Sequence, residues 1–203
     1  MISKGNAELT RLHILQAATD IIAEKGLAAL TAGSLISRAG ISKGGLYHHF
    51  RQMDEVVLAA LDQLVDEYLA GLQTVSAQRP EVLFAQLETD LRELYLQRSQ
   101  RIKALHGFLG AVMHVPAFRG PVTKVLRGLK ERHRQQFKAA FPLAHTDTLN
   151  AATEMLETFI LGSILQSYLE PDGDYMAQWP EFSKHLWWRL SEASGSVQVS
   201  AVS

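Results

Sequence analysis

Between Leu9 and Lys25 the apolar residues Ile14, Ala17, Ala18, Ile21 and Ile22 recur at the three-and-four spacing of one helix face. The stretch therefore reads as an amphipathic helix, closed by Gly26. Leu27 and Leu30 extend its apolar surface. Thr31 is a good N-cap for a second helix with Leu35, Ile36 and Ala39 on its apolar side, and Gly40 ends it, because glycine tolerates the positive φ of a helix C-terminus. Ser42 then caps a third, short helix whose inner edge is Leu46 and Phe50, while Ile41 lies in the turn, where it can pin the helices together. Two short helices joined by a tight turn and braced by a longer one make a helix-turn-helix.

Further along, Asp54 and Glu55 favour a helix start near Met53, and Val57, Leu61, Leu64, Val65, Tyr68 and Leu72 keep one stripe for about five turns. That helix ends over residues 76–79, and Pro80, suited to a first helical position, opens another with Phe84, Leu87, Leu91 and Tyr95 inward. Residues 101–115 are more apolar but contain Gly107 and Gly110, which cost a helix roughly 1 kcal/mol each. Either the helix breaks there or close approach requires small residues. A helix from Pro121 to Ala140 carries Lys124, Arg127, Lys130, Arg132, Arg134 and Lys138 against Glu131. Its charges form a solvated face or else attract an anion. Thr146 or Asp147 caps the next helix, whose stripe runs through Ala152, Met155, Leu156, Phe159, Ile160, Ser163, Ile164 and Ser167, with Leu161, Leu165 and Leu169 on other faces. It should be buried nearly all round. The last helix carries Trp179, Phe182, Leu186, Trp187, Trp188 and Leu190. The chain is thus expected to be all-α, with about nine helices, and residues 193–203, rich in Ser and Val, to be a disordered tail.

Composition narrows the function. The 203 residues are 47% hydrophobic and contain no cysteine, which excludes disulfides, thiolate metal sites and thiol redox sensing. The N-terminus has no apolar core like a signal peptide and no run suits a membrane span, so a cytoplasmic protein is expected. Net charge is −1, but residues 1–53 hold Lys4, Arg11, Lys25, Arg38, Lys43 and Arg51 against Glu8, Asp20 and Glu24, a local surplus of +3. Among the eight histidines, His48 and His49 are adjacent and point about 100° apart, and His106 and His114 are eight residues apart. No metal site, cofactor motif or catalytic motif follows, so an enzyme is not expected.

The third helix carries the candidate chemistry. Gly44 and Gly45 weaken it and are hard to justify unless backbone must approach something closely. The helix starts at Thr31 and Ser42 suit phosphate oxygens. Lys43 is the candidate for a base-edge contact, His48 faces the groove or a phosphate, and His49 serves either DNA contact or packing.

The run Ala39-Gly40-Ile41-Ser42-Lys43-Gly44-Gly45-Leu46-Tyr47-His48-His49-Phe50, after a helix ending Glu24-Lys25-Gly26 and before a long amphipathic helix, resembles the DNA-binding domain of the TetR (tetracycline-repressor) family over residues 9 to 60. Three positions depart from that pattern: Ile36 stands for a small alanine, Gly45 for a threonine and Met53 for a lysine. The resemblance implies that Tyr47 contacts backbone phosphate. It also implies a DNA-binding domain over 1–53 and an effector-binding and dimerisation domain over 54–192. In such proteins the last two helices pair with their symmetry mates. That assigns Met155, Phe159, Gly162, Ser163, Phe182, Leu186 and Trp187 to a dimer interface. His106 and His114 fall in the segment that would line an effector cavity, and Tyr95, Phe108, Met113, Phe137, Met155 and Phe159 are walls or plain core.

The function expected is that of a homodimeric transcriptional regulator, a repressor that binds a palindromic operator in double-stranded DNA and is released by a small-molecule effector. The basic helix from Pro121 favours an anionic or amphipathic compound. Two alternatives stay open: a DNA-binding regulator controlled by a protein partner without a small ligand, and a helical small-molecule binder with a vestigial helix-turn-helix.

Overall fold

The computed structural model describes residues 4–71, 79–96, 100–170 and 172–192. Among them are nine α-helices and no strand: α1 (Lys4–Lys25), α2 (Ala32–Ala39), α3 (Lys43–His49), α4 (Met53–Gly71), α5 (Pro80–Leu96), α6 (Gln100–Ala111), α7 (Arg119–Ala140), α8 (Thr146–Leu169) and α9 (Trp179–Glu192). The expected tail over 193–203, the helix end over 76–78 and Leu72 lie outside the described residues.

Packing divides the chain into two compact units. One holds α1 to α4, α6 and α7 as far as Leu126; the other holds α5, the rest of α7, α8 and α9. In the first unit α1 is the central brace, with Ile14, Leu15, Ala18, Ile21 and Ile22 all buried against its neighbours. The buried face of α4 is Val56, Ala60, Leu61, Leu64 and Val65. Leu61, Leu64 and Val65 are buried as expected, whereas Val57 and Tyr68, expected on the same stripe, are half-buried and Val56 and Ala60 take the inward places beside them. Helix α6 runs unbroken through Gly107 and Gly110. An added Cβ at Gly107 would lie in ordinary contact, 3.5 Å from Ile22 Cγ2, and at Gly110 in open space. Neither a break nor a tight approach explains these glycines; packing of α6 on α1 outweighs their helix cost.

Two helix starts also differ from expectation. A short 3-10 turn at Pro116–Phe118 leads into α7 at Arg119, so Pro121 occupies the third helical position, still within the first turn where its missing N–H costs nothing. His145 is the N-cap of α8, with no side-chain cap hydrogen bond; Thr146 and Asp147 lie inside the first turn, where Asp147 acts on the dipole.

The second unit has an aromatic core. Phe84 of α5 lies 6.5 Å from Phe137 and Phe141 and 5.2 Å from Trp187, between ring centroids. Leu149, Leu156, Leu186 and Leu190 close around them. Helix α8 is not buried all round: Leu165 is 63% and Leu169 71% exposed, with Met155 and Tyr168 also open. That apolar surface is exposed among the described residues.

Candidate nucleic-acid interface

The helix-turn-helix is built by local hydrogen bonds that its sequence advertises. Thr31 Oγ1 accepts from the Ser34 N–H at 3.2 Å, and Ser34 Oγ accepts from the Thr31 N–H at 2.9 Å, so Ser34 completes a capping box where Glu or Gln is commoner. Gly40 ends α2 at φ 62° in the left-handed region. Gly40→Val should therefore destabilise the protein by about 1–2 kcal/mol, read as a lower thermal midpoint; an unchanged midpoint would show that the turn adapts. Ser42 Oγ then accepts from the Gly45 N–H at 3.0 Å. Each cap satisfies its third-residue N–H, and the first two N–H groups of a helix, here those of Ala32 and Gly33 on α2 and Lys43 and Gly44 on α3, have no partner within the helix.

The inner face of this pair is fully apolar: Leu35 and Leu46 are 0% exposed, with Ala39 and Phe50 also buried. The Arg11 guanidinium of α1 lies 5.0 Å over the Phe50 ring, so a cation braces the end of α3 from below. On the outer face Thr31, Ser42, Lys43, Gly44, Tyr47 and His48 are exposed, while Gly45 and His49 are half-buried. The His48 and His49 rings meet edge to face at 5.3 Å. Neither Gly44 nor Gly45 has a positive φ, and a Cβ at either would meet nothing closer than Ser42 Oγ, at 3.9 and 3.4 Å. The fold itself therefore does not require glycine at either position.

Charge is shared unevenly over this surface. Arg38 pairs with Glu24 through Nη1 at 3.1 Å and with Asp20 at 3.5 Å. The hydrogen bond from Arg38 holds the Glu24 carboxyl below the usual carboxylate range. Arg38 thus locks α2 to α1, whereas Lys43 and Arg51 stay exposed. Arg51 follows α3 directly and is a further exposed cation on this surface. Its own N–H donates to Glu55 Oε2 at 2.7 Å, which orders the start of α4, and Met53 opens that helix half-buried.

The residues expected to line an effector cavity do not converge within either unit. Phe108 is fully buried in the first, edge to face with Phe118 at 5.2 Å, and His106 is half-buried on the same helix. Met113, 80% exposed, and His114 fall beyond the end of α6, in a turn that leaves them on the surface. Phe137 is 0% exposed in the second unit's core. The Tyr95 side chain lies outside the described residues. Met155 and Phe159 instead line an open groove of about 1180 Å³ along α8 and α9, together with Gly162, Ser163 and Phe182. There Phe159 and Phe182 stack at 4.3 Å. Five of the seven residues assigned to a dimer interface therefore share one surface. Leu186 and Trp187 do not: Leu186 is 0% exposed and Trp187 packs 5.9 Å from Phe141, so both face the core. Trp188, 56% exposed, was missed as a surface aromatic.

The basic helix α7 is mostly neutralised. Lys124 pairs with Asp66 at 2.7 Å, Lys130 with Glu154 at 2.8 Å and Arg134 with Glu131 at 2.8 Å, while Lys138 donates to the Pro142 carbonyl at 2.8 Å. Hydrogen bonds from Arg134 and then Gln135 lower the Glu131 carboxyl to about 2. These pairs offset three of the cations on α7, while the Lys138 contact is to a neutral carbonyl. Among the described residues no three His, Asp or Glu side chains form a metal-holding group, and no helix is long and apolar enough to cross a membrane.

A capped helix-turn-helix braced by α1, followed by a second helical unit, defines an all-helical protein of the helix-turn-helix class. Residues 14–60 match the model of the bacterial regulatory proteins of the tetR family. Among characterised relatives, an HTH-type transcriptional repressor of Mycobacterium tuberculosis is 29% identical over 133 residues, which span 65% of this chain and 65% of that protein's length. The repressor KstR2 of Rhodococcus jostii is 39% identical over 62 residues, 29% of this chain and 30% of its own. Of solved structures, a transcriptional regulator from Rhodococcus superposes with a TM-score of 0.67 at 24% identity, covering 92% of this chain and 98% of that one. The multidrug binding protein EbrR, solved with ethidium, gives 0.64 at 22% identity over 89% and 98%. Over residues 14–60 this chain is similar to the tetR family, and over most of its length to the fold of these structures.

Proposed function

We propose that the protein is a homodimeric transcriptional repressor that binds a palindromic operator and releases it when a small molecule occupies its second unit. The observation that carries this reading is the outer face of α3, where Lys43, Tyr47 and His48 stand exposed beside two helix starts whose first N–H groups have no partner within the helix. Thr31, Ser42 and Tyr47 position the helix on phosphates; Gly44 and Gly45 let backbone approach the groove; Lys43 reads a base edge, with His48 and His49 beside it. Two copies, paired through the α8–α9 groove, place their α3 helices in successive major grooves about 34–36 Å apart. An effector that binds more tightly to a dimer with a different separation lowers operator affinity. Structural relatives solved with ethidium and with choline support the small-molecule part of this reading.

The test is a fluorescence-anisotropy titration of the purified protein on DNA from the intergenic region upstream of its own gene. Lys43→Ala should flatten discrimination at one base pair per half-site by about 1–3 kcal/mol while leaving the thermal midpoint in place. Unchanged preference would remove Lys43 from the reading helix, and absence of binding by the parent protein would favour a vestigial helix-turn-helix.

A further inference from the structure

The fold treats two arginines of the first unit differently. Arg38 is held by two carboxylates, Glu24 and Asp20. Arg11 is exposed, with its guanidinium carbon 5.0 Å from the centroid of the Phe50 ring, and among the described residues it forms no ion pair. Glu8 lies one turn earlier on α1, at a spacing where ion pairs form, yet Arg11 reaches across to α3 instead. A guanidinium resting against an aromatic ring still presents N–H donors, arranged as a fork that matches two oxygens of one phosphate. Covering the ring would not by itself need a charge, because an uncharged stem of the same length would do so.

The place of this contact matters. Phe50 is the C-cap of α3 and only 3% exposed, and the next residue is the exposed Arg51. Two cations thus collect at the C-terminal end of α3, while Lys43 stands at its N-terminal end. Seven residues of helix span about 10 Å, close to the roughly 12 Å width of a major groove, whose two edges are phosphate backbones.

We propose that Arg11 is a phosphate-binding residue of the DNA interface, held by Phe50 at the C-terminal end of α3. There it and Arg51 take backbone phosphates on one edge of the groove, at the opposite end of the helix from Ser42 and Lys43. Phosphates carry no sequence, so the contact adds affinity without preference. This inference rests on the reading of α3 as a DNA-contacting helix.

The test is a fluorescence-anisotropy titration of the full-length protein on two labelled duplexes, the upstream intergenic segment and a shuffled sequence of equal length, at several potassium chloride concentrations. Arg11→Gln should flatten the plot of log affinity against log salt by about 0.9 per protomer. It should weaken both duplexes by the same factor, about tenfold at fixed salt, and lower the thermal midpoint by no more than about 2–4 °C. Arg11→Lys keeps the charge and should restore the parental slope. Lys138→Gln removes an exposed charge from the other unit and should leave the slope as it was. A parental slope for Arg11→Gln would reduce the residue to a brace of α3 and overturn the proposal. A loss confined to the intergenic duplex, or an equal flattening by Lys138→Gln, would overturn it too. In those outcomes the parent still binds, so the DNA-contact reading stands; a parent that binds neither duplex would remove both.

Discussion

Gly162→Arg should convert a dimer into monomers that fold at least as well as the parent. An added Cβ at Gly162 meets nothing within 4 Å, and the residue lies on the exposed side of α8 in the groove that also holds Phe159 and Phe182. Within one chain the arginine has room, and replacing a mid-helix glycine gains up to about 1 kcal/mol in helix propensity. Against a second copy packed on the same groove, the long side chain would have no room without parting the two surfaces. Light scattering after gel filtration should report the monomer mass, with an unchanged or higher thermal midpoint. Operator affinity should fall by about 10²–10⁴-fold, since the second half-site no longer binds as part of the same particle. Gly120→Arg, also in open space but on α7, is the control and should stay dimeric. A Gly162→Arg protein that remains a dimer would show that the groove is not the dimer face.

Leu46→Ala tests the first unit. Leu46 is 0% exposed on a seven-residue helix that is too short to hold itself and depends on packing against its neighbours, where Leu35 and Phe50 are buried with it. Truncation should cost about 2–5 kcal/mol, a large share of the 5–15 kcal/mol typical of a domain. Urea unfolding followed by circular dichroism should show the loss, and DNA binding should disappear with it. The contrast with Lys43→Ala is diagnostic. One variant loses binding by loosening α3, the other changes preference with α3 in place. A Leu46→Ala protein of parental stability would mean that α3 is held from elsewhere.

The helix-turn-helix was legible because its signals are local. Thr31, Gly40 and Ser42 act within four residues of themselves, and the structure shows each doing so. Patterns that depend on the opposing surface were read less well. On α4 the pattern took Val57 for Val56 because the two are chemically alike, and only the elements packed on the helix decide which is covered. Helix α8 looked buried on every side because periodicity records apolarity and not whether the partner belongs to the same chain. Leu186 and Trp187 were assigned outward by family likeness, whereas the aromatic core of Phe84 and Phe141 draws Trp187 inward. The pairs that join α5, α7 and α8 were beyond reach: Asp90 meets Arg132 and His133 meets Glu157 only through tertiary folding. The sequence-level likeness that drew Met113 and His114 into a cavity failed because α6 stops at Ala111.

The pairing of Arg38 with Glu24 and Asp20 bears on how such a protein would search a chromosome. On the proposed reading, a guanidinium committed to two carboxylates within the fold is withheld from phosphates, which would leave DNA contact to Arg11, Lys43, Arg51 and hydrogen-bond donors more than to bulk positive charge. Non-specific DNA competes by charge alone, and it outnumbers a true operator by about a millionfold or more. A reader with few free cations is weakly held by that excess. Its occupancy of the operator then depends less on how much of the genome lies exposed around it.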